Sequence, residues 1–263
     1  MGKYLHVSIN SIKKNFVYRA NIFITMISIL LSFVALFYFW TSIYKQGNQI
    51  GNYSMEEIIT YYVFVTIFQL MITGDNIAWS VGEEIRMGQI NMNVLRPVNY
   101  LFYKLSQSLG NLFYRFMVFT PVILVFLWML GDYFQKIQNS NIYLIFILSA
   151  LVSYILYFIL YFLVGVAAFW TGESGSFFFV CWVIINFMQG AMIPLDLLPG
   201  WFESISNILP FKYLFFIPIS LVTGRIQFEY SYIYIPFAWV VVTYFLAQFI
   251  YKKGLKKYEG FGI

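Results

Sequence analysis

The sequence predicts an all-α integral membrane protein with six transmembrane helices, and three observations carry that expectation. Of its 263 residues, 61% are hydrophobic and only 10% charged, less polar surface than a soluble domain of this size requires. Apolar runs of about 18 to 25 residues recur along the chain, each long enough to cross a hydrocarbon core of roughly 30 Å as a helix. Lysines and arginines gather in alternate connecting segments, as they do on the cytoplasmic side of multispanning proteins. Two parts are expected: an N-terminal amphipathic interfacial helix over residues 1–19, and a single six-helix transmembrane domain over 20–263.

Several function classes drop out early. A Gly-x-x-x-x-Gly-Lys-Ser/Thr phosphate loop is absent, and no Gly-x-Gly-x-x-Gly follows a strand-like run, so no nucleotide-binding domain is expected in this chain. Cys181 is the sole cysteine and His6 the sole histidine, which removes disulfide frameworks and Cys/His metal spacings. A net charge of +5 fits cytoplasmic loops better than nucleic-acid binding. The Met1 end has no small-residue cleavage site, so the first span is expected to stay in the protein.

From Lys3 to Tyr18, Leu5, Ile9, Ile12 and Phe16 recur at helical spacing, with Lys3, Asn10 and Lys14 opposite. This stripe fits a helix lying in the headgroup boundary, either with its lysines toward anionic lipid or a soluble partner, or as a plain anchor before the first span. Residues 20–43 form that span, which ends at the interfacial aromatics Trp40 and Tyr44. After a polar turn, Ser54 and Glu57 fit a capping box opening the second span, which runs to about Val81. Asp75 lies inside it, where a carboxylate must face protein or water.

Residues 83–97 are a polar island with charges of both signs and a closing Pro97, the pattern of a short cytoplasmic helix. The third span opens at Pro97 and carries Lys104, Ser108, Asn111 and Arg115 on one helical face. Such a stripe points at another helix, a partner subunit or a hydrated cavity; an ion-pair network with Asp75 and a substrate pathway both fit it. The fourth span covers 142–170, the fifth 177–193 and the last 232–251. Between the fifth and last, Pro194, Pro199 and Pro210 break the chain into pieces too short to cross alone, which fits helices that dip into the membrane and return while packed on protein. Six spans put both termini on one side, and the lysine and arginine distribution makes that side, and the island, cytoplasmic.

With these features in place, the chain resembles the stand-alone six-span permease subunits of bacterial ABC-2-type ATP-binding-cassette exporters. The likeness rests on the amphipathic first helix, on Glu83-Glu84-Ile85-Arg86-Met87-Gly88-Gln89-Ile90 leading to Leu95-Arg96-Pro97, and on Gly190-x-x-x-Pro194 followed by Pro199, Trp201 and Pro210. It implies that Glu83, Glu84, Ile85, Arg86, Met87, Gln89 and Ile90 belong to a coupling helix docking on a separate ATPase, with Glu173 a second contact. Gly190, Pro194, Pro199, Trp201 and Pro210 would then belong to external re-entrant helices. It further implies ATP and magnesium bound by the ATPase rather than here, a second permease half as homodimer or heterodimer, and export of an amphipathic, lipid-like or drug-like cargo across the cytoplasmic membrane. The alternative is an ion- or proton-coupled transporter using Asp75, Lys104 and Arg115 as a relay. A membrane-embedded enzyme lacks a zinc motif or paired carboxylates at useful spacing.

Overall fold

A computed structural model describes residues 2–17, 19–45, 51–73, 77–91, 98–129, 141–172 and 175–258. Among the described residues every regular element is a helix, and five helices are long and apolar enough to cross a membrane. The first helix, α1 (Gly2–Val17), is followed by α2 (Arg19–Lys45), the first span. Helix α3 (Met55–Phe68) opens on the capping box expected from the sequence: Glu57 N donates to Ser54 Oγ and Ser54 N to Glu57 Oε2. These bonds occupy two of the donors that a helix start leaves without intrahelical partners.

The second span is not one continuous α-helix ending at Val81. It passes from α3 through a π turn (Gln69–Thr73) and continues as α4 (Ile77–Arg86), so Glu83 to Arg86 form the last turn of this span. Asp75 lies outside the described residues, as do 92–97 with Arg96 and Pro97, and Glu173. Helix α5 (Tyr100–Met129) is the third span and accommodates Pro121; α6 (Asn141–Val166) is the fourth, extended by the single turn α7 (Ala168–Thr171).

Helix α8 (Gly175–Met188) is shorter than the expected fifth span: 14 residues rise about 21 Å, less than a hydrocarbon core. It stops because Gly190 turns the chain at φ 83°, and a Cβ there would lie 3.0 Å from the Tyr61 hydroxyl. The short pieces follow as a 3-10 turn (Leu195–Leu197), α9 (Gly200–Ile208), a second 3-10 turn (Phe211–Tyr213) and α10 (Phe216–Val222). Helix α11 (Ser231–Lys257) is the last span.

The second span forms the core. In its most apolar window 81% of residues are buried, against 11% in the first span and 17% in the last, whose apolar surfaces are left to lipid. Helix α6 packs on α4, α10 and α11, and Gly165 allows a close approach to α4: a Cβ there would meet Ala78 O and Val81 Cβ at 2.8 Å.

Candidate functional site

At the end of the bundle where α4 finishes, Met87 N bonds to Glu83 O at 2.8 Å and Gly88 N to Ile85 O at 3.2 Å, the closing pattern of a helix whose next residue turns left-handed. Gly88 supplies that turn at φ 73°, and the chain is helical again at Ile90 and Asn91. The seven residues assigned by resemblance to ATPase docking therefore divide. Glu83, Arg86, Met87 and Gln89 are exposed; Ile85 and Ile90 are buried in the core.

Glu84 turns into the bundle. Its Oε1 accepts from Lys104 Nζ at 2.5 Å and its Oε2 from the Tyr100 hydroxyl at 2.7 Å, while Lys104 also donates to Ser80 Oγ at 2.8 Å. Lys104 is only 5% exposed, so this is a largely dehydrated pair in which each charge needs the other. Tyr100 stacks on Tyr251 of α11 with centroids 5.2 Å apart, and the Tyr258 hydroxyl donates to Ile85 O at 2.9 Å. The end of α4, the start of α5 and the end of α11 are thus fastened at one point.

The rest of the α5 stripe is shared among neighbouring helices. Ser108 and Tyr154 of α6 share a 2.6 Å hydrogen bond, Asn15 of α1 donates to Asn111 Oδ1 at 2.7 Å, and Arg115 donates to Met71 O in the π turn at 3.1 Å. Each of the four stripe residues thus has a hydrogen bond to another helix of the chain. Helix α1 runs parallel to α5, with Ser8 Oγ donating to Ser106 O at 2.7 Å and Phe16 set edge-on to Tyr114 at 4.7 Å. It touches α5 through Ser8, Ser11, Asn15 and one edge of Phe16, leaving Leu5 and Ile9 outward.

The opposite end holds a second cluster, which sequence reasoning did not single out. The Tyr53 hydroxyl donates to Asp196 at 2.8 Å, Arg225 Nε donates to the same carboxylate at 2.9 Å, and the guanidinium lies 3.3 Å above the Tyr53 ring. Burial, then the Asp196 carboxylate, pushes the Tyr53 hydroxyl well above its usual range. Burial lowers Lys212, partly offset by Glu203. Arg225 is raised because Asp196, Tyr53 and Glu57 together outweigh its desolvation. The residues join three loops far apart in sequence, so no local spacing could reveal them.

The proline-rich segment is pinned to α3 by Tyr61, whose hydroxyl donates to Gly190 O at 2.7 Å, and Tyr62, which reaches Met192 O at the same distance. Pro194, Pro199 and Pro210 each precede a short helix, and Trp201 is exposed. Beside Asp196 and Arg225 lies a polar cavity of about 520 Å³, also lined by Glu57, Glu203 and Lys212. Among the described residues no group of His, Cys, Asp or Glu is placed to hold a metal ion.

No curated protein matches the chain. The family model described as "ABC-2 family transporter protein" matches residues 14–262, from within α1 through the last span. With that match and its membrane-spanning helices, the chain belongs to the ABC-2 transporter family, as a multi-pass transmembrane permease of an ABC transporter.

Proposed function

We propose that the chain is one permease half of an exporter driven by separate ATPase subunits that dock on the exposed residues around Gly88. The observation that carries this reading is the fastening of α4 to α5 directly behind that turn, through Glu84, Lys104 and Tyr100. Glu83, Arg86, Met87 and Gln89 form the contact surface; Ile85 and Ile90 seat it, and Glu84 holds its base. A push on a rigid base moves the second and third spans together, whereas a flexible loop would absorb it. ATP and magnesium belong to the ATPase, two permease halves make the translocation unit, and both termini are cytoplasmic. The cargo is amphipathic, lipid-like or drug-like. Lys104 and Arg115 hold Glu84 and a backbone carbonyl, which favours structural roles for them over a proton relay.

The test is Arg86→Glu combined with Met87→Asp, both exposed positions. The variant is expected to insert and fold normally, yet to lose the co-purifying ATPase or its coupling to transport. Normal ATPase stoichiometry with unchanged cargo-stimulated hydrolysis would overturn the docking assignment.

A further inference from the structure

A groove of about 490 Å³ runs between the end of α6, α7 and the last third of α11. Its walls are Leu163, Ala167 and Trp170 on one side and Leu246, Phe249 and Ile250 on the other, and one cation, Lys253, closes its end. Gly254 shapes it by letting α11 close against the Phe169 ring. Lys257 follows Lys253 by four residues, so both lie on one face of α11, in line with Phe249.

Two further facts place this end at the membrane boundary. Lys253 lies 22 residues beyond Ser231, or about 33 Å along α11, close to one hydrocarbon thickness. Trp170 is 39% exposed at the groove edge, and the apolar body and polar N–H of Trp suit that depth.

From this arrangement we propose that the groove is a binding site for a phospholipid with an anionic headgroup. One acyl chain lies between Leu163 and Phe249, and the phosphate is held by Lys253 with Lys257 one turn further. Charge complementarity selects this occupant. A zwitterionic lipid would bring a second cation toward the lysines, and an extended peptide would carry unpaired backbone groups into hydrocarbon. The bound lipid braces α11 one helix away from the docking turn, since Tyr258 of the same segment reaches Ile85 O.

The experiment uses purified full-length protein in nanodiscs containing phosphatidylglycerol or phosphatidylcholine, each with the same diazirine-bearing acyl chain, with adducts mapped by mass spectrometry. The anionic probe is expected to label residues 163–170 and 246–250 severalfold more than the zwitterionic one, while outward positions on α2 such as Ile27 and Leu31 take both equally. Lys253→Glu with Lys257→Glu should bring the anionic signal down to the zwitterionic level, and Lys252→Glu, a charge reversal off the groove, should leave it intact. Ala167→Leu, which fills the groove without altering charge, should lower labelling too and serves as the second arm should the double variant misfold. Equal labelling by the two lipids, an equal effect of Lys252→Glu, displacement by inorganic phosphate alone, or cross-links between two copies at 246–250 would each overturn the proposal.

Discussion

Lys104 illustrates how a single charge can be legible while its partner is not. Its position on one helical face with Ser108, Asn111 and Arg115 follows from spacing alone, and the cost of leaving such groups in lipid requires that they meet protein or water. That Glu84 would be the partner does not follow, because the sequence groups Glu84 with its exposed neighbours Glu83 and Arg86. Removing one member of the pair strands the other. Lys104→Met is expected to destabilise the protein by about 1–3 kcal/mol, below the buried-pair range because Glu84 keeps 21% exposure. The double variant Glu84→Gln/Lys104→Met should recover part of that loss in detergent thermal unfolding, and strictly additive losses would show that the pair is not coupled. At the other end, Tyr53 keeps its proton to higher pH in the folded protein than in the unfolded chain, since burial and Asp196 raise its pKa. Its contribution is therefore constant below the unfolded value of about 10 and declines as pH rises above it. Tyr53→Phe should remove that alkaline component from the stability profile; an unchanged profile would show that Tyr53 does not govern it.

Among the elements, α1 is where periodicity and packing disagree most instructively. Leu5, Ile9 and Phe16 of the stripe are exposed and Ile12 is half-buried; Lys3, Asn10 and Lys14 on the opposite side are exposed as well, and it is the flank between them, with Ser8, Ser11 and Asn15, that meets α5. Gly110 makes this possible, because a Cβ there would collide with Ser8 O and the Ser11 side chain. Gly110→Val is expected to lift α1 away, read as faster thiol labelling of a Ser8→Cys probe; unchanged labelling would mean that α1 is held elsewhere. Gly88 plays a different part, since its φ of 73° costs about 1–2 kcal/mol for a residue with a Cβ. Gly88→Val should weaken ATPase attachment while leaving membrane insertion intact, and full attachment would argue that the turn's geometry is irrelevant to docking. The island was legible as polar, but the continuation of α4 to Arg86 was not. The charges that suggested a separate helix include Glu84, which α5 neutralises.

For the molecule as a whole, the two charged ends are joined by a second span that is almost wholly buried, a geometry suited to carrying displacement from one end to the other. Sidedness is testable in a Cys181→Ser background. Ser204→Cys in α9 should react with an impermeant thiol reagent from outside the cell, and Lys256→Cys in α11 only after permeabilisation. The reverse pattern would invert the assigned topology and move the Gly88 turn out of an ATPase's reach.

The sequence by itself determined the class of protein, the apolar segments, the capping box at Ser54 and the breaks at the prolines. These depend on composition and on near neighbours in the chain, and in lipid a backbone must satisfy its own hydrogen bonds locally. Only the tertiary structure decided which polar groups meet: Glu84 with Lys104, Arg115 with the π turn, and Tyr53 with Asp196 across 143 residues. Those pairings depend on how each helix is rotated against the next, which periodicity narrows to a face but cannot assign to a partner.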